Sequence, residues 1–219
     1  MTKDYGSNAP LSYNKYLRVA DLIGLQDCLS DPEHHDELLF ITIHQAYELW
    51  FKQILHEIDA AIALMNKDRL FAAARTLRRV VEIEKLLINQ IHILETMTPI
   101  SFLGFRDQLN PASGFQSMQF REIEFASGIK QESLLDEFRH DEFALARLQA
   151  RLKAPTLGDA FFAALRRRGL DACRSRYRHD AIAKAHQPCE CDVFIAGSMF
   201  RRDSCQFAVA RQLSDTIAA

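Results

Sequence analysis

The chain has 219 residues, of which 48% are hydrophobic and 26% are charged. This balance excludes a disordered or collagen-like chain and supports one or at most two compact domains. The 27 Lys and Arg residues against 29 Asp and Glu give a net charge of -2, so the chain lacks the basic excess of a nucleic-acid-binding protein. Only 8 Gly and 6 Pro interrupt the sequence, which favours long helices over an all-β fold.

The N-terminus and the cysteines bear on where the protein works. Residues 1–10 are polar and show neither a signal-peptide core nor an Arg-rich presequence. No apolar run approaches the ~20 residues of a membrane span. We therefore expect a cytoplasmic protein without a membrane segment. The 5 cysteines form no pair of C-x-x-C units, so neither a disulfide framework nor a structural zinc site is predicted, and Cys189 and Cys191 are interpreted as free thiols.

Helical periodicity dominates the first half of the chain. Ser30, Asp31 and Pro32 predict a helix start, and residues 36–65 then run without Gly or Pro. A second periodic stretch covers residues 68–97 and ends before Pro99. The short connection between them predicts an antiparallel hairpin, the beginning of an all-α helix bundle.

The second half is more divided. We predict an irregular loop from Pro99 to Gly114, helices over about 115–128 and 132–152, and a last helix from Thr156, capped by Asp159 and ended by Gly169. Beyond Gly169 the apolar periodicity weakens. The predicted organisation is a helical core over 1–170 and a diverged or truncated helical tail over 171–219.

His44 is the most informative single residue. On a helical wheel it falls on the apolar side with Phe40 and Phe51, whereas His56 falls on the opposite side. His44 is either a core histidine bonded to the backbone or a residue that positions a ligand. Burial would keep the imidazole neutral, so it would serve as a hydrogen-bonding group rather than as a strong base.

Two further elements suit an anionic ligand. Arg106 follows Phe102 and Phe105, and its planar guanidinium could clamp a carboxylate. A structural salt bridge to Asp107, Glu122 or Glu124 is an equally weighted alternative. Ser113 and Gly114 precede a predicted helix and could offer backbone N–H groups to an anion, or could form an ordinary cap.

These residues belong to longer motifs that closely resemble the tryptophan 2,3-dioxygenase family over about residues 10–170. The motifs are L-S-Y-N-K-Y-L (11–17), H-H-D-E (34–37), F-I-T-I-H-Q (40–45), E-L-W (48–50), G-F-R-D (104–107) and P-A-S-G-F-Q-S (111–117). The resemblance implies an all-α homotetramer with haem b that inserts both atoms of O2 into the indole 2,3-bond of L-tryptophan. The product is N-formylkynurenine, in the first step of the kynurenine pathway.

The resemblance also implies residue roles. His44 matches the distal histidine that hydrogen-bonds the indole N–H, and Arg106 matches the clamp for the substrate carboxylate. Ser113 and Gly114 match the turn near the substrate and a haem propionate. The remaining substrate-pocket matches are Phe40, Ile41, Thr42, Ile43 and Phe102, together with Tyr13, Tyr16 and Leu17, which in the family reach into a neighbouring subunit's site.

The tail departs from the family pattern. Family members carry the proximal haem histidine in a W-R-x-x-H stretch, and the alignment through Gln206, Phe207 and Arg211 places Ser214 at the histidine position. No metal ligand is therefore identified, and His179 and His186 in the tail are poor substitutes that could reach the iron only if the tail folds over the pocket. We expect weak haem retention and impaired turnover. The alternatives are a haem-free helical protein that oligomerises or binds an aromatic amino acid, and a haem hydroxylase of another aromatic amino acid.

Overall fold

The structure, a computed structural model, describes residues 10–169. This part of the chain contains no β-strand, which confirms the predicted all-α class. Its helices are α1 (Tyr13–Leu17), α2 (Val19–Leu22), α3 (His35–Asn66), α4 (Leu70–Leu94), α5 (Pro99–Arg106), α6 (Met118–Ser127), α7 (Glu142–Lys153) and α8 (Leu157–Arg167). Short 3-10 helices cover Asp107–Leu109, Gly114–Gln116 and Glu132–Phe138.

The centre of the fold is the antiparallel pair of α3 and α4, as the two periodic stretches predict. Their apolar stripes meet in one buried core that includes Ile54, Ile58 and Val80. Across this seam the Tyr47 hydroxyl donates a hydrogen bond of 2.6 Å to the carbonyl oxygen of Leu87. Burial raises the pKa of Tyr47 to about 12, so the hydroxyl remains a donor at neutral pH. The contact fixes the register of the two helices.

Helices α6 and α8 pack on this pair, and α7 packs on α6. Ile123 and Ala126 of α6 join the core of α3 and α4. Leu157 and Ala160 of α8 pack beside Met65 at the end where α3 turns into α4. A separate buried cluster joins α6 to α7 and consists of Phe125, Phe138, Ala144 and Leu148.

The prediction of an irregular loop from Pro99 to Gly114 is wrong for its first half, which forms α5. The Thr98 hydroxyl caps this helix by accepting from the Ser101 N–H at 3.1 Å. Pro99 occupies the first turn, where its fixed φ suits a helix and its missing N–H costs nothing. The same two residues therefore begin a helix shortly after α4 ends.

The predicted start of α3 at Ser30 is also wrong, because the Ser30 side chain is engaged elsewhere. Its hydroxyl donates to the carboxylate of Glu37 and accepts from the His34 N–H at 2.8 Å. The helix begins at His35, with His34 as its N-cap.

The boundaries after Gly114 differ in detail from the prediction. Helix α6 begins at Met118 rather than at 115, because Ser117 is its cap. The stretch predicted as one helix over 132–152 is divided, and Asp141 caps α7 through the Ala144 N–H at 2.9 Å. The predicted capping box of Thr156 and Asp159 is confirmed.

Within residues 10–169, no helix combines the length and the apolar character needed to cross a membrane. The predictions made for Cys189, Cys191, His179, His186 and Ser214, and for the tail over 171–219, lie outside the described residues.

Candidate active site

The imidazole of His44 has one nitrogen engaged and one free. Its Nδ1 atom lies 2.7 Å from the carbonyl oxygen of Phe40, and because a carbonyl can only accept, Nδ1 carries the hydrogen. Its Nε2 atom is buried and has no hydrogen-bond partner among the described residues. In the neutral ring Nε2 can then accept a hydrogen bond from a donor group of a ligand.

The surroundings of His44 keep the ring neutral. Burial lowers the pKa of His44, and the hydrogen bond to Phe40 and the negative charge of Glu48 oppose that shift only in part. The ring of Phe40 lies against the imidazole, with centroids 4.1 Å apart. His56, predicted to lie on the opposite side of α3, is exposed.

A row of aromatic rings connects His44 to Arg106. The ring of Phe40 contacts that of Phe102 on α5, with centroids 5.6 Å apart. The Arg106 guanidinium lies over the same Phe102 ring, with Cζ 5.3 Å from its centroid. An imidazole and a cation thus flank two apolar rings. Two of the acidic residues named as alternative salt-bridge partners of Arg106 pair with other arginines: Glu122 pairs with Arg147, and Glu124 pairs with Arg121.

Helix α5 approaches α3 closely because residue 104 has no side chain. A Cβ atom at Gly104 would lie only 2.8 Å from Cδ2 of His34. The His34 ring also contacts the buried ring of Phe105, with centroids 5.4 Å apart. The Gly104-Phe105 pair therefore sets the position from which Phe102 and Arg106 reach the site.

Ser113 and Gly114 form a short capped turn. The Ser113 hydroxyl accepts from the Phe115 N–H at 3.3 Å, and the Gln116 side chain accepts from the Ser113 N–H at 3.1 Å. Ser113 is half-buried and Gly114 is exposed. The turn caps the 3-10 helix Gly114–Gln116, and α6 has its own cap at Ser117.

Glu48 joins this region to the helix that carries His44. Its Oε1 atom accepts from the Ser117 hydroxyl at 2.6 Å, and its Oε2 atom accepts from the Gln119 amide at 2.8 Å. Glu48 and Ser117 belong to the sequence motifs, although no role is predicted for either. The available signal was the position of Glu48 one helical turn after His44, beside the apolar stripe.

Of the other predicted pocket residues on α3, Ile43 is buried in the core, Ile41 is half-buried and Thr42 is exposed. On the helical wheel Thr42 points away from Phe40 and His44, whereas Ile43, three residues after Phe40, lies beside their face. Ile43 packs in the seam between α3 and α4.

The N-terminal segment presents its predicted site residues to the surface. Tyr13, Tyr16 and Leu17 are exposed by 75%, 63% and 45%. The segment that follows is tied to α3 beside the site, because the Gln45 amide donates to the Leu25 carbonyl at 2.9 Å and Glu37 accepts from the Leu29 N–H at 2.7 Å. The three side chains of α1 are therefore largely solvent-exposed, while the segment after α2 is anchored to α3.

Most of the chain matches one known protein family. The family model described as tryptophan 2,3-dioxygenase matches residues 2–170. A tryptophan 2,3-dioxygenase of a Nocardioides species is 56% identical over 169 residues, which cover 75% of this chain and 63% of the relative. Those of an Arthrobacter species and of Kineococcus radiotolerans are 41% and 44% identical, covering 86% and 80% of this chain.

The fold is all-α, and a row of aromatic rings lies between an imidazole and a guanidinium. Together with the motifs, these features define the class of protein. The chain belongs to the tryptophan 2,3-dioxygenase family. It spans 61% to 66% of the length of these three relatives.

Proposed function

We propose that this chain forms the substrate-binding part of a haem-dependent tryptophan 2,3-dioxygenase, which converts L-tryptophan and O2 to N-formylkynurenine. The observation that carries the proposal is the free Nε2 acceptor of His44 at one end of the row that leads through Phe40 and Phe102 to Arg106. L-tryptophan has the matching features: an indole N–H donor, a flat apolar ring system and a carboxylate.

In this proposal the chain's residues bind and orient the substrate. His44 accepts the indole N–H through Nε2, and its neutrality makes it an acceptor rather than a second donor. Phe40 and Phe102 provide the apolar wall. Arg106 binds the carboxylate through its guanidinium, which offers two parallel hydrogen bonds.

The described residues fit the substrate-facing side of haem b. A buried nitrogen acceptor beside an aromatic wall suits a pocket in which a flat substrate lies against a flat cofactor, and Ser113 and Gly114 would lie near a propionate. When bound, the haem supplies the iron at which O2 is activated. No residue within 10–169 is assigned as a ligand of this iron.

The whole protein is proposed to act in the cytoplasm as a homotetramer. The outward-facing Tyr13, Tyr16 and Leu17 support this assembly, because an arm that leaves three large apolar side chains exposed gains stability when it packs on a neighbouring subunit.

Calorimetric titration of the chain with L-tryptophan and with tryptamine, in the presence of haemin, tests this assignment. Tryptamine lacks the carboxylate, so we expect it to bind at least about tenfold more weakly than L-tryptophan, the loss expected for a charged hydrogen-bonded pair. Arg106→Leu should reduce the affinity for L-tryptophan to that for tryptamine, whereas Arg78→Leu, a change at an exposed position of α4, should not. Equal binding of both ligands by the unsubstituted chain would contradict the proposal.

Product formation provides a second measurement. The chain with haemin, a reductant and L-tryptophan should form N-formylkynurenine, detected by its ultraviolet absorbance, and His44→Ala should form less. A rate equal to that of haemin alone would show that the residues outside the described range, or beyond this chain, are required for turnover.

A further inference from the structure

Glu48 lies one helical turn beyond His44 and links α3 to the chain 69 residues further on. Both oxygens of its carboxylate are used: Oε1 accepts from Ser117 and Oε2 from Gln119. The Gln119 amide also donates to the backbone carbonyl of Glu48 at 2.8 Å. The side chain and the backbone of one residue therefore hold the beginning of α6.

The segment that Glu48 holds is itself well connected. The Ser113 and Gln116 side chains close the turn through reciprocal hydrogen bonds. The buried Arg121 of α6 donates from Nε to the Phe115 carbonyl at 3.2 Å, and its guanidinium lies over the Phe115 ring, with Cζ 5.8 Å from the centroid. Arg121 is in turn paired with Glu124 at 2.8 Å. These contacts tie the turn to the first two turns of α6.

We infer that Glu48 is a positioning residue for the substrate site: its carboxylate fixes the Ser113-Gly114 turn relative to His44. This inference rests on the proposed function, in which His44 binds the indole and, as the family resemblance implies, the turn lies near the substrate and a haem propionate. Glu48 contacts neither the substrate nor the haem in this assignment. It acts through Ser117 and the connected turn.

The two hydrogen bonds define what a substitution can preserve. Glutamine has the same length but only one accepting oxygen, so Glu48→Gln can accept from Gln119 while its amide donates to the Ser117 hydroxyl. Alanine removes both contacts. We therefore expect the turn to be held best in the unsubstituted chain, less well in Glu48→Gln and least well in Glu48→Ala.

The test compares two ligands that require different parts of the site. Indole needs only the wall at Phe40 and the acceptor of His44, whereas L-tryptophan also carries the amino-acid group that extends toward the turn. In the full chain with haemin, Glu48→Ala should raise the dissociation constant of L-tryptophan about tenfold, as for the loss of one hydrogen bond to a charged group. The dissociation constant of indole should change less than about twofold.

The ratio of the two dissociation constants separates positioning from general loss of structure. A partly unfolded variant loses affinity for both ligands in the same proportion, and the ratio stays constant. Glu48→Gln should give an intermediate ratio. Glu82→Gln, which removes an exposed glutamate of α4, is the matched control and should leave both constants unchanged.

Three results would contradict the inference. If L-tryptophan binds to Glu48→Ala as tightly as to the unsubstituted chain, or if both ligands weaken in proportion, Glu48 does not position the turn for the substrate, although the proposed function stands. If the unsubstituted chain binds neither ligand, the proposed function fails and the inference fails with it.

Discussion

The Nδ1 atom of His44 lies 2.7 Å from the carbonyl oxygen of Phe40, four residues earlier on the same helix. This contact assigns the hydrogen to Nδ1 and leaves the buried Nε2 atom as an acceptor without a partner among the described residues. The backbone of α3 thus decides which ligand group His44 can recognise. It must be a donor.

A ligand without that donor should bind less well. Methylation of the indole nitrogen removes the N–H, so 1-methyl-L-tryptophan should bind at least about fivefold more weakly than L-tryptophan, the value of one neutral hydrogen bond. In His44→Ala this difference should disappear. Calorimetric titration measures both affinities, and His56→Ala is the matched control because His56 is exposed on the same helix. Discrimination that persists in His44→Ala would contradict the assignment.

The pH dependence of binding should reflect the buried state of His44. Burial lowers its pKa below the ordinary value, which is about 6.5. Protonation of Nε2 would turn the acceptor into a donor, so affinity for L-tryptophan should remain constant as the pH falls to about 6.5 and decline only below it. Titrations between neutral and mildly acidic pH measure this. A decline centred above the ordinary value would contradict the prediction.

A side chain at residue 104 should weaken the contact of α5 with α3. The added Cβ of Gly104→Ala would lie 2.8 Å and 2.9 Å from two atoms of the His34 ring, which is held by Phe105 and by the Asp36 N–H at 3.2 Å. We expect a loss of about 1–3 kcal/mol in the free energy of unfolding, although alanine in a helix is otherwise favoured by about 1 kcal/mol.

Urea denaturation of two further variants provides the controls for residue 104. Gly158→Ala, in α8, meets only the Thr156 hydroxyl oxygen at 3.7 Å and should be neutral or stabilising. His34→Ala should relieve the clash, so the double variant should lose less stability than the two single losses together. Strict additivity would show that the His34 ring is not the obstacle.

Glu37 should make stability depend on pH in the acidic range. Burial alone would raise its pKa, but hydrogen bonds from the Ser30 side chain and from the N–H groups of Leu29 and Ser30 prevail and lower it. A carboxyl whose pKa is lowered by folding contributes stability above its unfolded pKa, about 4.3, and this contribution is lost as the pH falls through the folded value.

The comparison of the unsubstituted chain with Glu37→Gln measures this contribution. The difference in the free energy of unfolding should be largest near neutral pH and should shrink below about pH 4.3. Glu82→Gln, at an exposed site, should show no such convergence. A difference that grows toward acidic pH would contradict the assigned direction of the pKa.

Local patterns predicted the parts of the fold that depend on neighbouring residues. The wheel of residues 36–65 placed His44 and His56 on different sides of α3 because helical spacing alone determines a direction. The capping box at Thr156 is likewise local. The start of α5 carried an equally local signal, Thr98 as cap and Pro99 in the first turn, but the same two residues also match the end of α4, which is the prediction made from them.

Other features of the candidate site depend on contacts between distant parts of the chain. The Ser117 hydroxyl reaches Glu48 across 69 residues, and no spacing rule links the two positions. The free nitrogen of His44 follows from the distance between Nδ1 and one carbonyl oxygen, which a wheel does not provide. Similarly, serine is a common helix N-cap, but the Ser30 hydroxyl donates to the Glu37 carboxylate instead of capping α3.

Phe40, His44 and Glu48 recur every fourth residue of α3, and each serves a different partner: α5, the proposed substrate and the start of α6. At about 1.5 Å per residue, Phe40 and Glu48 are about 12 Å apart along the helix axis, with His44 midway between them. Inserting or deleting a single residue within this stretch would rotate one attachment by about 100° relative to the other. The segment from 40 to 48 should therefore tolerate no change in length.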